Sequence, residues 1–128
     1  MAKILIVDDE RTVALALQRV LGDTHTVTLA QDGEKAWQIL QKNSTFDVIF
    51  CDILMPRRTG VELYQQVHAA DPSLAKKIVF LVGGGYSPSL SDFLQTVSNA
   101  KLAKPFDLVG VQDLLARLLA FQASPAGG

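Results

Sequence analysis

The chain reads as an α/β fold, a five-stranded parallel sheet with helices on both faces. Three observations carry this. Short apolar runs at residues 3–7, 47–51 and 77–82 alternate with stretches of helical period. The central runs are continuously apolar, the mark of parallel strands buried on both faces. The 128 residues, close to half of them apolar, suit one domain with a sizeable core.

The elements follow in order. Residues 3–7 form the first strand, and residues 10–22 a helix with Val13, Leu17, Val20 and Leu21 on one face. A strand at 25–30 precedes a helix at 33–42 that carries Ala36, Ile39 and Leu40. The third strand is 47–51, and the helix at about 60–70 turns Leu63, Tyr64 and Val67 inward. The fourth strand is 77–82, followed by a helix at 89–98 with Leu90, Phe93, Leu94 and Val97 at helical spacing. A short strand at 100–103 and a helix at 107–121, with Val111, Leu114, Leu115 and Leu118 inward, complete the pattern. The domain is expected over residues 1–122, with 123–128 a flexible tail containing Ser124-Pro125-Ala126-Gly127-Gly128.

Strand order is also legible. The strand at 25–30 alternates, with Thr26 and Thr28 beside Val27 and Leu29, and the strand at 100–103 is short and carries Lys101. Both read as edges. The order 2-1-3-4-5 places them there and right-handed crossovers permit it. In such sheets a site forms beyond the carboxyl ends of the strands, near the switch between strands 1 and 3. Asp8 and Asp9 follow the first strand, Asp52 the third and Lys104 the fifth. Grouped carboxylates repel one another, so they call for a cation, and the set outlines a metal-assisted phosphoryl-acceptor site.

Other function classes are disfavoured. A net charge of −1 gives no footprint for nucleic acid. No apolar stretch reaches the ~20 residues of a membrane span, and no basic-then-apolar signal opens the chain, which predicts a cytoplasmic protein. The single cysteine, Cys51, excludes an internal disulfide and reads as a small buried hydrophobe. His25 and His68 lack ligand-like partners, and Trp37 reads as packing.

These motifs together resemble the receiver (response-regulator) domain of two-component signalling. The resemblance rests on Ile6-Val7-Asp8-Asp9-Glu10, on Asp52-Ile53-Leu54-Met55-Pro56 with Gly60 beyond, on Gly83-Gly84, and on Lys104-Pro105-Phe106. It implies the flavodoxin-like (βα)5 three-layer sandwich. It also implies that Asp52 accepts a phosphoryl group from a histidine kinase or a histidine phosphotransfer protein. Asp8, Asp9, Asp52 and the backbone carbonyl of Leu54 would hold Mg2+, and Lys104 and Gly83 would meet the phosphoryl oxygens. A capping role for Asp8 or Asp9 at the first helix is the simpler alternative. It leaves the second carboxylate and Asp52 unexplained. Pro105 is either cis, as in the family, or an ordinary trans proline.

The chain departs from the family at two switch positions. Val82 stands where a Thr or Ser is usual, and Lys101 where an aromatic residue is usual. Valine keeps the shape and loses a hydroxyl whose bond to a charged oxygen contributes about 1.5–3 kcal/mol. The conformational readout is therefore expected to be altered. Leu54 and Gly84 offer no polar group to position water, which predicts slow self-dephosphorylation.

The expected partners follow the same resemblance. Leu15 lies off the buried face of the first helix and is a candidate donor contact, or simply one exposed leucine. The fourth helix has an outer face of Ser89, Ser91, Asp92, Gln95, Thr96 and Ser98, and the fifth carries Val109, Leu119 and Phe121. These define either a self-association surface across helix 4, strand 5 and helix 5, or a well-buried last helix. No output domain fits in this length, so the chain reads as a stand-alone regulator or as an excised piece. The competing reading is a degenerate receiver acting as a phosphorylation-independent interaction module. A phosphatase with an aspartyl-phosphate intermediate and a flavin-binding domain fit less well. The first commonly has a second Asp where Leu54 stands, and Asp8-Asp9-Glu10 would repel a flavin phosphate.

Overall fold

The structure is a computed structural model, and it describes residues 2–55, 59–83, 88–104 and 107–123. The described residues form β1 (Lys3–Val7), α1 (Arg11–Leu21), β2 (Thr26–Ala30), α2 (Gly33–Lys42), β3 (Val48–Asp52), α3 (Gly60–Ala70), α4 (Pro72–Ala75), β4 (Ile78–Val82), α5 (Pro88–Thr96), β5 (Lys101–Ala103) and α6 (Leu108–Ala123). The sheet is parallel throughout, in the order β2-β1-β3-β4-β5. The sequence-based order is therefore observed, as is the flavodoxin-like three-layer arrangement. Gly84, Pro105 and residues 124–128 lie outside the described residues.

Side-chain alternation along the strands divides the core into two layers. On one face Leu5, Val7, Ile49, Cys51 and Phe80 pack against Ala36 and Leu40 of α2, Leu63 and Val67 of α3, and Leu90 and Leu94 of α5. On the other, Ile4, Ile6, Val48, Phe50, Val79 and Leu81 pack against Ala14, Leu17 and Leu21 of α1 and Val111 and Leu115 of α6. β1, β3 and β4 are almost wholly buried, whereas β2 and β5 are partly exposed, as edge strands are.

The structure adds one element and moves some boundaries. The short helix α4 was not anticipated. Asp71 accepts the Leu74 N–H and Pro72 occupies the first turn, a start signal too brief to show a hydrophobic period. α5 ends at Thr96, and α6 continues to Ala123. β3 begins at Val48, after the Asp47 carboxylate has taken the Lys3 N–H at 2.8 Å. β3 also includes Asp52, which therefore sits in the last rung of the ladder.

Two contacts fix the sheet's carboxyl edge. Gly60 opens α3 directly against the end of β3. A Cβ there would lie 2.6 Å from the Asp52 carbonyl oxygen and 2.8 Å from Ile53 Cα. At the far side, Lys104 N–H donates to the Val82 carbonyl at 2.7 Å, so the residue after β5 is tied to the end of β4. No helix among the described residues is long and apolar enough to cross a membrane.

Candidate functional site

The register explains why the acidic residues meet. Val7 pairs with Cys51 across β1 and β3, so Asp8 and Asp52 are the next rung. Both continue the even-numbered rows Ile4–Ile6 and Val48–Phe50, on the face covered by α1 and α6. Leu102 packs on that same face, and Lys104 lies two residues beyond it. Three distant segments thus deliver two carboxylates and an ammonium to one place.

The distances confirm the convergence. Lys104 Nζ is 3.0 Å from Asp8 Oδ2, 3.0 Å from Glu10 Oε1 and 3.4 Å from Asp52 Oδ2. Asp8 and Asp52 are buried, Lys104 is largely covered, and the Glu10 side chain is 57% exposed. The two oxygens of Asp8 have separate tasks. Oδ1 accepts the Glu10 N–H at 2.8 Å and holds the turn from β1 to α1. Oδ2 is buried and has the Lys104 charge beside it but no aligned hydrogen bond. The helix-start reading is therefore partly correct for Asp8, although the N-cap position itself belongs to Glu10, whose side chain caps nothing.

The electrostatics follow from this packing. Burial pushes the Asp52 carboxyl up to about 6, and the charge of Asp8 adds to that. Lys104 and the Leu54 N–H, which donates to Asp52 Oδ1 at 3.3 Å, oppose the rise. Lys104 is buried enough to favour loss of its charge, but the carboxylates around it outweigh this and raise its pKa. Burial, followed by the nearby charges of Asp52 and Asp8, raises the Cys51 thiol, so it stays protonated and inert.

Oxygens of Asp8, Glu10 and Asp52 lie within 4.8 Å of one another, a group that could hold a metal ion. The chemistry of this donor set suits Mg2+, which takes oxygen ligands, and the buried Asp8 Oδ2 lacks an aligned donor. Asp9 is not among the three. It is exposed and lines a neighbouring cleft of about 540 Å³ with Arg11, Leu15 and Leu29. Sequence reasoning read Glu10 only as part of a motif. No local pattern marked it: the sequence reading begins the helix at residue 10, and the N-cap position of Glu10 and its reach to Lys104 emerge only in the fold.

The remaining candidates are placed as follows. Leu54 is exposed beside the site, and Gly83 follows β4 with open space where a Cβ would be. Val82 ends β4, half-buried, and presents no hydroxyl. Lys101 points away from the carboxylates: its Nζ donates to the carbonyls of Val97 at 3.1 Å and Asn99 at 2.8 Å. Leu15 is exposed on α1. His25 Nδ1 accepts the Ala2 N–H at 3.0 Å, and His68 stacks on Tyr64 with centroids 5.7 Å apart.

A parallel sheet of this order, with paired aspartates and a lysine at its carboxyl edge, defines a class. Residues 4–118 match the response regulator receiver domain, and the chain belongs to that family. Response regulator MprA of Mycobacterium sp. (strain KMS) is 33% identical over 129 residues, covering 98% of this chain and 54% of that protein. Response regulator Rre1 of Synechocystis is 34% identical over 128 residues, covering 97% and 55%. Among solved structures, chemotaxis protein CheY4 of Vibrio cholerae superposes with a TM-score of 0.76 at 33% identity, over 92% of this chain and 98% of that one. The chain spans about half the length of the curated relatives it matches.

Proposed function

We propose that this receiver domain takes a phosphoryl group onto Asp52 from the phosphohistidine of a histidine kinase or a phosphotransfer protein. The observation that carries this reading is the meeting of Asp8, Asp52 and Lys104 at the carboxyl edge of the sheet. An Asp52 oxygen attacks the phosphorus, the phosphorus–nitrogen bond breaks, and the histidine leaves with its electron pair and takes up a proton. The ionised carboxylate of Asp52 is the attacking form, and a cation beside it favours that form. The Lys104 ammonium sits ready for the equatorial oxygens, where charge must be balanced. Asp8 and Asp52 would hold Mg2+, with Asp9 and the Leu54 carbonyl as the further ligands the family pattern suggests. The ion would supply charge neutralisation between carboxylates and phosphoryl oxygens.

The output differs from the usual one. Val82 offers no hydroxyl to the phosphoryl group, and Lys101 is tied to its own loop, so the ordinary coupling between these positions is lost. A ligand shifts an equilibrium only through differential contacts, and one such contact is missing here. That tethering also supports a second reading, an interaction module whose surface does not depend on phosphorylation. Leu15 is the candidate donor contact on α1. Exposed Val109 and Phe121 on α6 offer apolar surface to a second copy. No nucleic-acid contact and no membrane contact are assigned to this domain.

Intact-mass measurement after incubation with acetyl phosphate and Mg2+ tests the proposal. One phosphoryl group should add to the wild type and none to Asp52→Asn. No gain in the wild type would favour the interaction module.

A further inference from the structure

The ammonium of Lys104 has three N–H donors and three carboxylate neighbours, Asp8, Glu10 and Asp52. The contact with Glu10 is an aligned hydrogen bond whereas that with Asp8 is not, so an incoming phosphoryl oxygen competes with Glu10 for the ammonium. The three do not release equally. The Asp8 side chain is fully buried, and Oδ2 has no other partner among the described residues. In the metal-free domain, withdrawing Lys104 from it would leave a buried charge uncompensated, which is strongly unfavourable. Asp52 is buried as well and lies at the reacting centre. Glu10 is different. Its side chain is 57% exposed, so water replaces the lost contact at little cost. The pair also spans 94 positions of sequence and joins the start of α1 to the end of β5.

We infer that Glu10 is a positioning residue acting through Lys104: it holds the ammonium in the resting domain and must yield it to the incoming phosphoryl group. Glu10 thereby restrains phosphorylation by small donors. The inference rests on Asp52 being the acceptor.

Two substitutions separate this hold from simple charge repulsion at the mouth of the site. Glu10→Gln removes the charge. Glu10→Asp keeps the charge but is one methylene shorter, and at an N-cap position its carboxylate turns toward the first N–H groups of α1. Phosphorylation by acetyl phosphate with Mg2+ is followed by intact mass at several donor concentrations. Both variants should react about two- to fivefold faster than wild type, the factor an exposed ion pair represents. Wild-type rates in both would overturn the inference. A faster Gln variant beside an unchanged Asp variant would also overturn it, because repulsion alone would then account for the gain.

A second readout needs no phosphorylation. Acetylation of Lys104 by an amine-reactive ester, measured by peptide mass against Lys35, should rise in both variants as the ammonium loses a partner. Unchanged labelling rejects the hold on Lys104 by itself. A wild type that labels as expected but never gains a phosphoryl group would instead reject Asp52 as acceptor.

Discussion

At the residue scale, the charge of Asp52 is disfavoured, buried beside Asp8 with Lys104 only partly compensating. Its carboxyl is raised from 3.8 to about 6, and the sign of the consequence is definite. Between those values the folded chain binds more protons than the unfolded one, so stability falls as pH rises; above about pH 6 the full penalty applies. Asp52→Asn removes the penalty. Without metal, its melting temperature at pH 8 should exceed that of wild type by roughly 3–10 °C, corresponding to about 1–3 kcal/mol. The difference should shrink toward pH 4.5. A constant difference across this range would place the cause elsewhere. Mg2+ should raise the wild-type melting temperature at pH 8 by binding the native state, and Asp8→Ala should lose that rise.

At the scale of elements, the site depends on how closely α3 and β5 approach their neighbours. Gly60→Ala would drive a Cβ into the Asp52 and Ile53 backbone, contacts that no side-chain rotation relieves. We expect a loss of about 1–3 kcal/mol in denaturant titration, and slower phosphorylation because the end of β3 moves. Asn99 is a second fixed point. Its buried amide donates to the carbonyls of Ala75 and Ile78, both at 2.8 Å, and ties the approach to β5 to the start of β4. Asn99→Ala should cost about 1–3 kcal/mol, with faster amide exchange around α5 and β5. Exchange rates equal to wild type would show that the tie is dispensable. Lys101 ties the same loop from outside, its Nζ donating to the Val97 and Asn99 carbonyls.

At the scale of the molecule, the sequence was informative wherever a period or a burial pattern was long enough. Continuous apolarity marked β1, β3 and β4, and the alternating Thr26 and Thr28 marked an edge. The convergence of Asp8, Asp52 and Lys104 followed from topology, since the register carries Asp8 and Asp52 to one rung and Lys104 follows two residues after Leu102, which continues that rung. Two things were not legible. α4 is a single turn and has no period. The reach of Glu10 to Lys104 is a long-range side-chain contact that no local pattern encodes. Between the two readings of the final helix, an exposed face or full burial, Val109 at 67% and Phe121 at 73% exposed lie on the exposed side. Single exposed apolar residues are ordinary, so sedimentation over a range of concentrations is informative. A self-associating face predicts a mass that rises with concentration and returns to monomer in Phe121→Asp; a constant monomer would remove the second copy as a partner.

The central claim concerns one atom's chemistry. An acyl phosphate is reduced by borohydride to an alcohol, and at an aspartate this leaves homoserine. Peptide mass spectrometry of the acetyl phosphate-treated, borohydride-reduced chain should find homoserine at position 52. Homoserine at position 8 or 9, or at no position, would contradict the assignment of Asp52 as the acceptor.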